Sequence, residues 1–154
     1  MAIPTNASDV FEMAVGMERI GKDFYEALAL GSDKVVVRDF CLKAARDEAN
    51  HLAAFRQMRD LWAMSVKRNR VAPEVADALA AVAKGRIQPR AAAVRKVAMG
   101  GSLKDALDMA MRMEQDSIDF YQELSARLPD SADVIQRIVE EEEKHLGGLR
   151  QLGA

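Results

Sequence analysis

Met17-Glu18-Arg19-Ile20-Gly21-Lys22-Asp23-Phe24-Tyr25 returns later in the chain as Met113-Glu114-Gln115-Asp116-Ser117-Ile118-Asp119-Phe120-Tyr121. In both copies Met-Glu is followed at the same offsets by Asp-Phe-Tyr and then by a leucine, Leu28 or Leu124. A second pair follows in the same order: Asp47-Glu48-Ala49-Asn50-His51, then Glu141-Glu142-Glu143-Lys144-His145. The economical reading is an internal repeat, two copies of one helical unit.

Working outward from these stretches, the helical signal predicts four long helices at about 8–30, 33–65, 102–128 and 131–152. Ser8 or Asp9, with Glu12 nearby, is placed to start the first, and Gly31 to end it. Ser32 or Asp33 is the expected cap of the second, Ser102 of the third, and Asp130 or Ser131, after Pro129, of the fourth. The turns within each pair are short, so each pair folds as an antiparallel hairpin. The connector, 66–101, is broken by Pro73, Gly85 and Pro89 into two short helical pieces, 73–83 and 89–99. A connection of that length lets the second and third helices run parallel. The whole, 1–154, reads as one all-α domain, a four-helix bundle of two hairpins joined by a long crossover.

Composition agrees. Hydrophobic residues make up 49% of the 154 and charged residues 30%, which supports a packed core and excludes a disordered chain. Aromatics are only 5%, and the strong helix formers dominate. A net charge of −2 argues against a dedicated nucleic-acid binder. The lone Cys41 excludes a disulfide framework or a four-cysteine metal site and reads as core. Met1 to Asp9 has no apolar signal core, and no stretch approaches a membrane span, so the expected location is cytoplasmic. Between Lys67 and Lys96 stand eight basic and two acidic residues, read as a solvated connector face or a docking surface for an acidic partner.

The informative feature is where acids interrupt the apolar seams. Steps of three and four residues give Phe11, Ala14, Glu18, Gly21, Tyr25 and Leu28 on the first helix. On the second they give Val37, Cys41, Ala44, Glu48, His51, Phe55, Met58 and Trp62. The third and fourth carry Glu114 and the pair Glu142 and His145 in the same way. Residues equidistant from a hairpin turn lie level. Glu18 and Glu48 are centred on Asp33, and Glu114 and Glu142 on Leu128, both at a turn. Burying such carboxylates together without compensation is very costly, so something positive belongs among them.

Two divalent metal ions are the natural solution. Carboxylates supply hard oxygen donors that can bridge two ions, and each imidazole supplies a nitrogen. One Glu from each of two helices plus a Glu-x-x-His from each of the other two is the pattern of di-iron and di-manganese carboxylate bundles. The competing reading is a pair of ordinary half-buried histidines paired to surface glutamates. Tyr25 and Tyr121, two turns from Glu18 and Glu114, could hydrogen-bond a metal carboxylate or a bound oxidant, or be plain core aromatics. Asp47 and Glu141 could orient the histidine of the opposite hairpin, or lie on a solvated face. Gly21 and Ser117 are small seam residues expected to leave room for a small oxidant.

The Met-Glu…Phe-Tyr helices and the two Glu-x-x-His helices resemble the ferritin-like superfamily, and within it a rubrerythrin-like di-iron domain. The resemblance covers both hairpins and leaves out the connector. It implies a ferritin-like bundle with Glu18, Glu48, His51, Glu114, Glu142 and His145 as ligands to two iron ions. Manganese is an alternative, and zinc a substitute in recombinant protein. The implied activity is that of an oxidoreductase acting on hydrogen peroxide or dioxygen. Ser117 stands where rubrerythrins typically carry a further glutamate, and the rubredoxin domain with its four cysteines is lacking, so electrons would come from a separate donor. The six-ligand set is closer to bacterioferritin. Only nine residues follow His145, too few for the fifth helix of those cage subunits, so a 24-subunit shell is not expected. The connector, with no long bundle helix of its own, is expected to pack on a neighbouring copy in a homodimer. An iron-handling protein of ferroxidase type and an interaction domain with structural metal are the alternatives.

Overall fold

A computed structural model of the chain describes residues 4–84, 94, 96–97 and 100–154. The elements are α1 (Ala7–Gly31), α2 (Val35–Ala63), the single turn α3 (Val66–Asn69), α4 (Pro73–Ala83), α5 (Leu103–Arg127) and α6 (Ala132–Leu152), with a 3-10 turn at Pro129–Ser131 between the last two. Every one of these is helical, and the long four form the ferritin-like bundle. Most of the second connector piece, 89–99, lies outside the described residues.

Caps were the least legible feature. Asn6, rather than Ser8 or Asp9, starts α1: its Oδ1 accepts from Asp9 N–H at 2.9 Å and from the Ser8 hydroxyl at 2.7 Å. An amide side chain one residue earlier satisfies the free donors of the first turn equally well. Ser102 does cap α5, accepting from Asp105 N–H at 3.1 Å. Lys34 stands at the cap of α2 with no side-chain bond, since its ammonium offers no acceptor, and Ser32 Oγ accepts from the Lys34 N–H within the loop. Ser131 stands at the N-cap of α6 as expected, but without a side-chain cap bond. Its hydroxyl accepts from Trp62 Nε1 at 3.1 Å, as a buried indole N–H usually finds an acceptor.

Side-chain bonds between the hairpins fix the helix directions. Tyr25 on α1 reaches Glu114 on α5, while the earlier Glu18 is reached by the later Tyr121. Those crossed pairs require α1 and α5 to be antiparallel. Asp47 with His145 and His51 with Glu141 require the same of α2 and α6. Within antiparallel hairpins, α2 and α5 must then run the same way, which a short turn could not achieve.

The core forms two apolar clusters. One gathers Val10, Phe11, Phe55, Trp62, Tyr121, Leu124 and Ile135. The other gathers Phe24, Tyr25, Val37, Cys41, Ala44, Leu107 and Leu149. Phe40 lies so close to Gly148 that a Cβ there would stand 2.3 Å from the ring, so glycine is required for that approach. Burial pushes the Cys41 thiol to about 11, which keeps it protonated and inert as a packing residue. On α4, Ala76 and Leu79 are buried, and Leu79 joins the first cluster. Through Leu79 the buried side of that helix packs on the bundle. No helix among the described residues is long and apolar enough to cross a membrane.

Candidate metal centre

Four glutamates and two histidines lie inside the bundle, one acid or acid–histidine pair from each long helix. Glu18, Glu48, His51, Glu114, Glu142 and His145 are all at most 4% exposed. The helical repeat delivers them: Glu48 and His51, like Glu142 and His145, are three residues apart and share a face. Glu18, Glu48, His51 and Glu142 each bring one donor atom within 4.8 Å of the others, and so do Glu48, Glu114, Glu142 and His145. Glu48 and Glu142 belong to both groups. Glu18 and His51 belong to one, and Glu114 and His145 to the other.

The imidazoles point inward through Nδ1 and outward through Nε2. His51 Nδ1 lies 3.3 Å from both Glu18 Oε2 and Glu142 Oε1. His145 Nδ1 lies 3.1 Å from Glu142 Oε2 and 3.4 Å from Glu48 Oε1. On the outer side each ring meets a carboxylate of the opposite hairpin: His51 Nε2 is 2.7 Å from Glu141 Oε2, and His145 Nε2 is 3.0 Å from Asp47 Oδ2. A proton held on Nε2 by such a carboxylate leaves the Nδ1 lone pair facing the cluster. The Tyr25 hydroxyl donates to Glu114 Oε1 and the Tyr121 hydroxyl to Glu18 Oε1.

Electrostatics show how uneasy this cluster is on its own. Burial, reinforced by the charge of Glu142, raises Glu18, lifts Glu48 well above the usual carboxylate range and takes Glu114 to about 8. Burial would raise Glu142 too, but the two imidazoles hold it at about 2. Burial also opposes charge on the histidines, yet the carboxylates around them carry His51 to about 12 and His145 to about 11. Burial and the neighbouring carboxylates keep both tyrosines neutral at ordinary pH. Protons thus do the work that a cation would do.

A divalent metal fits these residues. Glu18 Oε2, His51 Nδ1 and Glu142 Oε1 are buried without a hydrogen-bond partner, each such atom typically costing about 1–3 kcal/mol, and they converge on one another. A carboxylate and imidazole donor set suits first-row divalent ions. Two sets of donors that share two carboxylates describe a binuclear site.

Gly21 does not leave room for an oxidant. A Cβ there would stand 2.8 Å from Glu48 Oε2, so the space is taken by a shared carboxylate. Gly21→Ala should improve helix propensity by roughly 1 kcal/mol and still weaken metal binding about tenfold or more by pushing Glu48 aside. Metal titration alongside thermal melts of the metal-free protein checks it; equal affinity with wild type contradicts the close packing. Ser117, the other small seam residue, is half-buried. Sequence reading passed over Lys43, whose Nζ lies 2.6 Å from Asp47 Oδ2. The i, i+4 spacing of the two was the available signal.

The rubrerythrin family model matches residues 9–153. No curated protein matches the chain. A crystal structure from Thermotoga maritima, described as a ferritin-like diiron-carboxylate protein, superposes with a TM-score of 0.73 at 22% identity, covering 99% of this chain and 97% of that one. At that identity the likeness establishes the bundle fold.

Proposed function

The chain belongs to the rubrerythrin family, and from that premise we propose that it holds two iron ions and reduces hydrogen peroxide or dioxygen with electrons from a separate donor. The observation that carries this reading is the pair of donor groups sharing Glu48 and Glu142. Glu18 with His51, and Glu114 with His145, would each complete one position. Manganese would suit the same donors, and zinc would occupy them in recombinant material. Bound iron would supply the electrons that reduce the O–O bond, one from each position.

The remaining chemistry belongs to side chains. Tyr121 fixes one oxygen of Glu18 and turns the other, Oε2, toward His51 Nδ1. Tyr25 fixes Glu114 Oε1 in the same way. As neutral phenols both keep their proton on the hydroxyl and act as donors. Glu141 and Asp47 hold the Nε2 protons of His51 and His145, which orients both rings. Phe55, 4.8 Å from the Tyr121 ring, and the aromatic contacts of Tyr25 with Phe24 and Phe40 close the layers on either side and keep bulk water out.

Anaerobic ferrous titration should saturate at two ions per chain, and the loaded protein should turn over peroxide when a reduced donor is present. Saturation at one ion, or none, overturns the two-metal reading. Consumption of ferrous ions with no donor-dependent turnover replaces the oxidoreductase by an iron-handling protein.

A further inference from the structure

We infer that the two metal positions are unequal, and that Lys43 is a positioning residue that makes the Glu114/His145 position the first to fill. This rests on the reading that the cluster binds two ions. The internal repeat makes the positions look equivalent: Glu18 answers Glu114, His51 answers His145 and Tyr121 answers Tyr25. The residues behind the imidazoles break that symmetry.

His145 is held from two sides, and one of the two groups is itself braced. Its Nε2 meets Asp47 Oδ2 at 3.0 Å, and the same oxygen is held by Lys43 Nζ at 2.6 Å. Asp47 is a short side chain, 22% exposed. The Tyr25 ring stands edge-on to the imidazole at a centroid distance of 6.2 Å. His51 Nε2 meets its carboxylate more closely, at 2.7 Å, but that carboxylate is itself less firmly held. This partner, Glu141, has one more rotatable bond and a side chain 49% exposed, and Arg137, which answers Lys43 in the repeat, makes no ion pair with it. Tyr121 packs on Phe55. The inner atoms follow suit: His51 Nδ1 stands 3.3 Å from Glu18 Oε2 and Glu142 Oε1 without forming a hydrogen bond to either, whereas His145 Nδ1 is hydrogen-bonded to Glu142 Oε2 at 3.1 Å. A donor whose rotamer is fixed beforehand loses less freedom when a ligand arrives, so the first ion goes where the imidazole is already locked.

The chain has only two histidines, so side-chain nitrogen–proton NMR of 15N-labelled protein reads each position separately. Titrated with zinc alone, the His145 signals should move within the first equivalent and those of His51 within the second. Lys43→Met should weaken the first step about two- to fivefold and blur the order. Lys43→Arg should restore it, and Arg137→Met should leave it unchanged. Lys43 is 71% exposed, so these variants keep the fold. Overturning results are His51 moving first, both rings moving together in the wild type, or an unaltered order in Lys43→Met. If zinc moves neither ring, the metal-site reading itself fails and this inference falls with it.

Discussion

Replacing Glu142 by alanine should remove both metal ions, not one. Glu142 brings oxygens to both donor groups, Oε1 toward His51 and Oε2 toward His145. It is also the carboxylate that the two imidazoles hold at about 2, so it carries the negative charge that a pair of cations needs most. Its loss should weaken binding beyond the roughly 10–100-fold expected for an outer hydrogen-bond partner, and Asp47→Ala supplies that comparison. Glu142→Gln keeps the volume and separates lost charge from a cavity. Glu48→Ala should rank with Glu142→Ala, because Glu48 is the other shared carboxylate. Ferrous or manganous titration, with circular dichroism to confirm the helical fold, measures the series. Equal losses in Asp47→Ala and Glu142→Ala would show that the shared carboxylates have been misidentified.

Metal removal should cost stability and spare the fold. Without a cation the cluster keeps three buried polar atoms outside any hydrogen bond and relies on protons to quiet its carboxylates. Binding to the native state alone stabilises by mass action, about 2.7 kcal/mol when free metal is a hundred times its dissociation constant. For a domain of this size that corresponds to roughly 5–10 °C in melting temperature. The apolar clusters on either side of the site, anchored by Phe11, Phe55, Leu124 and Ile135 in one and by Phe24, Val37 and Leu149 in the other, should keep the metal-free chain helical and cooperative. Melts with chelator, and with saturating manganous or ferrous ion under anaerobic conditions, test both parts. An unchanged melting temperature contradicts the first, and loss of helical signal in chelator contradicts the second.

The amino-acid sequence by itself determined the helices, the hairpins and the height of each acid, because these are properties of local spacing. A three- and four-residue seam assigns Glu18 or His51 to a face, and a short turn makes residues equidistant from it level. Caps escaped this reasoning, since Asn6, Ser32 and Ser131 can all accept a backbone N–H, and their neighbours decide whether they do. Trp62, distant in sequence, claims the Ser131 hydroxyl. The tyrosines and the outer carboxylates were similarly open. A Tyr two turns from a Glu can serve a metal carboxylate or fill a core, and only the packing of one hairpin on the other puts each hydroxyl against a glutamate of the opposite unit. The use of the gap at Gly21 depended on the rotamer of Glu48 across the α1–α2 contact. The sharing of Glu48 and Glu142 between the two donor groups, and the different backing of His51 and His145, were likewise decided by tertiary structure. Spacing along a helix fixes where a side chain starts, whereas its partner is set by the distance between helices far apart in the chain.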